Sequence, residues 1–203
     1  MSRAVITESD IPLAGDLKIE KGAIVTPSAR DLARDRGVRL IEVAAGQLDA
    51  APPHKTIAIG SDHGGFEMKE QLKPGIAGLG LAILDVGIHK PGSVDYPDIA
   101  NAVTSAMAAG KATRGVLIDG AGIGSAMAAN KAPGIRAALC YDRASANNSR
   151  EHNDANVLTL GGRLMTPNQA EEILRVWLTT PFAGGRHQAR IDKITAIEKA
   201  NFK

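Results

Sequence analysis

From residue 56 onward, short apolar runs alternate with stretches whose apolar residues recur every three or four positions. The runs are 56–60 (TIAIG), 81–87 (LAILDVG), 115–119 (GVLID), 135–140 (IRAALC) and 157–162 (VLTLGG). Runs this short, with few polar positions, predict strands buried on both faces. Between them, 66–80 predicts a helix with a break near Pro74, and 96–112 an alanine-rich helix with Ile99, Val103 and Met107 four apart. Further helices are predicted over 125–132, 142–153, 167–180 and 186–202, with Ala170, Ile173, Leu174, Trp177 and Leu178 as the stripe of 167–180. Met107 and Met127 fall on apolar faces and are expected in the core, as is Cys140 at a strand end. Strand and helix in alternation give an α/β fold, a parallel sheet covered on both faces. In such sheets ligands bind at the carboxyl ends of strands.

The first fifty residues follow another pattern. AVITESDI, LKIE, AIVTP and VRLIEV predict short strands. TPSARDLARDRG carries helix punctuation: Thr26 as N-cap, Pro27 at the first position, Gly37 as stop, with Leu32 and Ala29 or Ala33 on the apolar side. Residues 44–55, with Pro52-Pro53, read as a linker. The expected organisation is a small α+β unit at 1–43, a linker at 44–55 and the α/β domain at 56–203. The small unit has little core of its own and is expected to dock on something.

Composition narrows the function. A net charge of +2 gives no global field toward nucleic acid or membrane, and 3% aromatic content disfavours a base-stacking surface. No apolar run approaches the length of a membrane span, and MSRAVITESDI has acids where a signal peptide needs apolar residues. The single cysteine, Cys140, excludes an intrachain disulfide and a cysteine-rich metal site, so a reduced, cytoplasmic setting is expected.

Candidate chemistry collects where strands end or helices start. The run Val116-Leu117-Ile118 ends in Asp119, followed by Gly120, Gly122 and Gly124 at alternate positions and then a small-residue helix. A strand, a glycine turn and a helix start form an anion cradle. A carboxylate repels phosphate, so Asp119 suits proton chemistry beside a developing oxyanion. The other candidates lie in Ser61-Asp62-His63-Gly64-Gly65, Ser93-Val94-Asp95-Tyr96, Arg150-Glu151-His152-Asn153-Asp154, Gly161-Gly162-Arg163 and Gly184-Gly185-Arg186-His187-Gln188-Ala189-Arg190. All are expected to meet at one end of one sheet. Each also has a bland reading: Asp62-His63 as a cap and turn, Arg186 and Arg190 as a solvated helix face, and His152 as a satisfied histidine. His54 and His89 read as solvated.

The blocks IAIGSDHGGFEMKEQL, DVGIHKPGSVDYPDIA, GVLIDGAGIGSAMAANKAPGIRAALC, SREHNDANVLTLGGR and GGRHQARIDKI resemble, in order, those of the ribose-5-phosphate isomerase type B and galactose-6-phosphate isomerase family. SDHGG, AANK-x-x-GIRA and R-x-HND-x-N are the most specific together. The resemblance implies a Rossmann-like three-layer sandwich with a five-stranded parallel sheet. It implies a homodimer with active sites at the subunit interface, sometimes paired into tetramers. It implies aldose–ketose isomerisation of a sugar phosphate, with no metal and no cofactor, as in the pentose phosphate pathway. Residue by residue, Asp62 and His63 match the pair that handles the sugar ring and phosphate. His152 matches the ring-opening histidine, with Asn153 beside it on the substrate. Arg163, Arg186 and Arg190 match phosphate ligands, partly donated by the partner subunit. Asp95 and Tyr96 match the loop lining the sugar. Gly120, Gly122, Ile123 and Gly124 match the loop whose amides hold the enediolate oxygen.

The departure is at the base. One branch of the family has a cysteine where Asp119 stands, with threonine or serine two residues later; another has a glutamate where Ser125 stands. Here the positions hold Asp119, Ala121 and Ser125. Asp119 is the expected base, and its alternative role is to cap the helix or order the loop. Ribose 5-phosphate is the default substrate. The alternatives are a tetrose or hexose phosphate, or a catalytically inactive sugar-phosphate sensor or scaffold. The N-terminal segment, with TPSARDLARDRGV at its centre, resembles one found at the front of some enzymes encoded with bacterial microcompartments, as in ethanolamine utilisation. It implies docking to a shell or cargo partner; extension of the dimer interface is the alternative.

Overall fold

The structure, a computed structural model, describes residues 5–7, 11, 16–43, 56–90 and 92–201. The chain divides into two compact units, Met1–Pro52 and Pro53–Lys203. Residues 44–55, the interval read as a linker, lie outside the described residues, His54 among them.

In the first unit, β1 (Val5–Ile6) pairs in parallel with β3 (Ile24–Val25), and β2 (Asp16–Glu20) with β4 (Arg39–Val43). Helix α1 (Pro27–Asp35) starts where the sequence punctuates it: Thr26 Oγ1 accepts the Ala29 amide at 3.2 Å, and Gly37 takes φ +65° beyond the end. Ile11, Ala29, Ala33 and Val38 are buried together, with Ile6, Leu17, Val25, Leu32 and Leu40 around them.

The second unit runs β5 (Thr56–Ser61), α2 (Phe66–Gly78), β6 (Ala82–Asp85), α3 (Tyr96–Ala108), β7 (Arg114–Asp119), α4 (Ile123–Ala129), β8 (Ala137–Leu139), α5 (Arg143–Glu151), β9 (Val157–Gly161), α6 (Pro167–Thr179) and α7 (Gln188–Asn201). Its five strands form one sheet in the order β6-β5-β7-β9-β8, every pair parallel. Successive residues of a strand face opposite sides. Ile57, Ile59, Val116, Ile118, Leu158 and Leu160 therefore pack with α2, α5 and α6 around the fully buried Trp177. Ala58, Leu117 and Val157 pack on the other side with Ile99 and Val103 of α3 and Ala129 of α4. This is the Rossmann-like sandwich that the resemblance implies. At the edge strand β8, Asn130 Oδ1 accepts the Ala137 amide and its Nδ2 donates to the Ala137 carbonyl, covering backbone groups otherwise open to a further strand.

Some expectations need correction. Helix α2 passes through Pro74 without a break. Pro74 is exposed, so the carbonyl it leaves without a donor faces water, while buried Leu72 and Ile76 on either side hold the helix on the sheet. Met127 is 66% exposed, because α4 has only seven residues and turns just Ser125 and Ala129 inward. The last helix starts at Gln188, not 186, after a 3-10 turn at Gly185–His187. Gly184 and Gly185 both have positive φ and the chain enters α7 through the 3-10 turn, so Arg186 lies outside the α-helix that carries Arg190.

Candidate active site

At the carboxyl ends of β5, β7 and β9 three glycine-bearing loops are stitched together. Gly162 N donates to the Asp119 carbonyl at 2.7 Å, and Arg163 N to the Gly120 carbonyl at 3.1 Å. A side chain on Gly162 would meet the Gly64 carbonyl at 2.7 Å, so the loops approach as only glycine allows. Gly122 takes φ +78° and turns the chain from β7 into α4. The Tyr96 ring lies against Gly124, and the Tyr141 hydroxyl donates to the Ala121 carbonyl at 2.9 Å. Arg163 is exposed, with its Cδ alongside Gly120; His63 and Asp95 are exposed too, and Asp95 caps α3 without a side-chain bond.

Two carboxylates are buried at this end. Asp62 Oδ1 accepts the amides of Gly64 at 2.8 Å and Gly65 at 3.1 Å. Asp119 is held on both oxygens: Oδ1 accepts from Ala121, at 2.8 Å, and from Gly122, and Oδ2 accepts from Ser125 at 2.8 Å. In this geometry Asp119 orders the glycine loop, the role that competes with its acting as base.

The remaining candidates do not join them. All strands run the same way, so α5 descends from the carboxyl ends and delivers His152 and Asn153 to the amino end of β9. Helix α6 brings Arg186 and His187 to the same end, where the Ala183 amide donates to the Glu151 carbonyl at 2.9 Å. Asp119 pairs with Gly161 and Gly115 with Val157, so the two ends are about 13 Å of strand apart. The expected convergence at one end of one sheet does not occur within a chain. The physical reason is topological: a loop that follows a strand lies at one end, a loop that follows a helix at the other.

The second cluster has its own order. The rings of His152 and His187 stack at 4.2 Å and 6°. His152 Nδ1 lies 2.8 Å from Asn148 Nδ2; with the amide donating, neutral His152 carries its proton on Nε2. Loss of hydration, then the charges of His152, Arg186 and Arg190, pull the His187 pKa below its ordinary value. Asp154, at φ +45°, bonds Arg136 Nη2 through Oδ2 at 2.8 Å and Arg150 Nη1 through Oδ1 at 2.9 Å. Arg136 Nε also reaches the carbonyls of Asn153 and Asp154. The two arginines thus clamp the segment that presents His152 and Asn153.

The family model described as Ribose/Galactose Isomerase matches residues 57–194. The chain belongs to that family. Ribose-5-phosphate isomerase B of Escherichia coli is 43% identical over 71% of this chain and 97% of its own length. D-erythrulose-4-phosphate isomerase of Pectobacterium atrosepticum is 39% identical over 70% of this chain and 95% of its own. Among solved structures, ribose-5-phosphate isomerase B of Clostridium thermocellum superposes with a TM-score of 0.70 at 46% identity, covering 71% of this chain and 98% of that one. The protein is therefore a sugar-phosphate isomerase of the ribose/galactose isomerase family. Residues 1–56 precede the matched segment.

For this isomerase, sequence reasoning missed the supports of the site. Lys69 is fully buried and donates to both oxygens of Asp85, at 2.9 and 2.7 Å, and to the Ile88 carbonyl at 2.7 Å. Burial pushes the Asp85 carboxyl up, but the bonds from Lys69 and Lys73 outweigh it and hold its pKa below the ordinary value. This grip fixes the start of the loop that leads to Asp95 and Tyr96. The signal was present: Lys69 interrupts an apolar stripe with Leu72 and Ile76 three and seven positions on. Arg136 and Asp154 also stood inside the GIRA and HND motifs. Among the described residues no helix is long and apolar enough to cross a membrane.

Proposed function

We propose that this isomerase interconverts ribose 5-phosphate and ribulose 5-phosphate, at sites shared between two copies of the chain. The division of the candidate residues between opposite ends of one sheet carries this reading. One end offers the carboxylates, the glycine loop and Arg163; the other offers a histidine, an asparagine and two arginines. A single chain cannot bring them onto one sugar phosphate, and a second copy with its amino end against the first copy's carboxyl end does.

In that site His152 opens the sugar ring, with Asn153 on the substrate, and a carboxylate of the pair Asp62 and Asp119 moves a proton between C1 and C2. The loop 120–124 faces the enediolate oxygen, Asp95 and Tyr96 line the sugar, and His63, Arg163, Arg186 and Arg190 hold the phosphate. Guanidinium forks match phosphate oxygens two at a time. A proton shuttled between neighbouring carbons needs only a positioned base and stabilisation of the intermediate's charge.

The test is turnover on ribose 5-phosphate, erythrulose 4-phosphate and galactose 6-phosphate, followed by NMR. The highest kcat/KM on ribose 5-phosphate supports the reading; a preference for the tetrose moves the substrate toward that of the Pectobacterium relative. Binding of all three without turnover makes the chain a sensor or scaffold. Residues 1–43 serve as a docking unit for a microcompartment shell or cargo partner; they precede the domain shared with relatives and form a unit with its own small core. Unchanged partition with shell proteins after deletion of 1–50 removes that role.

A further inference from the structure

Asp62 and Asp119 stand side by side. Ser61 is in register with Ile118, so the two carboxylates follow adjacent strands at the same level. Their hydrogen bonds are unequal. Both oxygens of Asp119 are held, by the amides of Ala121, Gly122 and Ser125. Asp62 accepts both of its amide bonds on Oδ1, and its Oδ2 has no partner among the described residues. Asp62 is nonetheless only 7% exposed. Oδ2 is not among the fully buried unpartnered atoms, so of the four oxygens of the pair it is the one both unbonded and open to a ligand.

We propose that Asp62, through Oδ2, is the base that moves the proton between C1 and C2, and that Asp119 is a fixed anchor of the glycine loop. This rests on the isomerase reading above. The resemblance gives Asp62 a share in handling the ring and puts the base at position 119; the hydrogen bonds move the base to Asp62 and leave Asp119 as anchor. Oδ2 takes the proton from C2 of the open-chain aldose. The C2–H electron pair becomes the C1–C2 double bond, and the carbonyl pair moves onto O1 to give the enediolate. The O2 proton then passes to O1, the electron pair on O2 forms the C2 carbonyl, and Asp62 returns its proton to C1. No oxidant, metal or second reactant is needed. Asp119 cannot swing to a C–H bond without releasing amides on which the turn at Gly122 depends.

Amide substitution separates the two roles. In Asp62→Asn, the amide oxygen keeps the bonds from Gly64 and Gly65, and the NH2 group replaces only the bare oxygen. In Asp119→Asn, the NH2 group must face at least one amide N–H, donor against donor. The experiment incubates each protein with ribose 5-phosphate in D2O, follows loss of the carbon-bound proton by NMR, and measures Tm and inorganic phosphate affinity. Asp62→Asn is expected to slow exchange about 1,000-fold, with phosphate affinity within about threefold and Tm nearly unchanged. Asp119→Asn is expected to lose about 4–8 °C in Tm and to keep exchange within about tenfold of the parent, the loosened loop accounting for the loss. A folded Asp119→Asn that loses exchange about 1,000-fold, while Asp62→Asn retains it, overturns the assignment. Formate added to Asp62→Ala supplies the missing carboxylate and keeps the test open if Asp119→Asn does not fold. Restored exchange supports Asp62 as base, and no restoration with phosphate binding intact overturns it. Absence of exchange in the unmodified protein on every sugar phosphate overturns the isomerase reading itself, a result distinct from these.

Discussion

Replacing Asp154 by alanine removes the joint that presents His152 and Asn153. The Arg150 side chain is 5% exposed, and its Nη1 bonds Asp154 at 2.9 Å and the Ala155 carbonyl at 2.5 Å. Loss of the carboxylate leaves a nearly buried guanidinium short of its anion, a cost of about 2 kcal/mol. The Arg136 bond to Asp154 is between partly exposed groups, 22% and 34%, and contributes about 1 kcal/mol. Alanine tolerates φ +45° less well than aspartate, which adds about 0.5 kcal/mol. The loss therefore comes to about 3–4 kcal/mol, read by urea unfolding at unchanged m-value. Glycine at this position, free at positive φ, is expected to lose about 1 kcal/mol less than alanine. Both variants are expected to lower kcat through a misplaced His152, with the carboxyl end of the sheet intact. A loss below about 1 kcal/mol for alanine, or a larger loss for glycine, would refute the clamp.

The Tyr96 ring would sit 2.6 Å from a Cβ on Gly124, and Tyr96 is 40% exposed, so Gly124→Ala is expected to fold normally, displace Tyr96 and raise KM about tenfold or more with little change in Tm. The His187 pKa is depressed, so its neutral form favours the folded state: the contribution is present above the ordinary histidine pKa and fades as pH falls through the lower folded value. An NMR titration is expected to place His187 below 6.5, and Arg190→Ala to raise it; a value above 6.5 contradicts the loss of hydration and the nearby positive charges around this ring. Lys69→Met removes three bonds from a buried ammonium and is expected to cost about 3 kcal/mol. Asp85, depressed in the fold, contributes stability above pH 3.8 that is lost as pH falls through its lower folded pKa, and in Lys69→Met this acid loss is expected to be smaller and to end at higher pH, measured by unfolding as a function of pH.

The fold was legible because each strand is a nearly pure apolar run and each helix has its punctuation. Thr26 caps α1 as read, and the strand run 157–162 appears as Val157–Gly161. Pro74 misled because local propensity says nothing of the packing of Leu72 and Ile76 on either side, and Met127 because α4 is too short for its period to be informative. The candidate residues could be collected from the sequence but not placed. Strand-end residues such as Asp62 and Asp119 announce their end of the sheet, whereas His152 follows a helix, and the helix direction places it at the opposite end. Lys69, Arg136 and Asp154 act through long-range bonds that no local pattern displays. The occupied state of Asp119 depends on the turn at Gly122, a property of backbone angles rather than residue order.

The shared site is tested most directly by mixing two damaged proteins. Arg163→Glu disables the carboxyl end and His152→Ala the amino end, and each alone is expected to be inactive on ribose 5-phosphate. After unfolding and refolding together in equal amounts, half the dimers pair one copy of each kind, and in those one of the two sites has both ends intact. The mixture is expected to recover about a quarter of the unmodified protein's activity. No recovery, with mixed dimers shown to form, would contradict a site built from two copies.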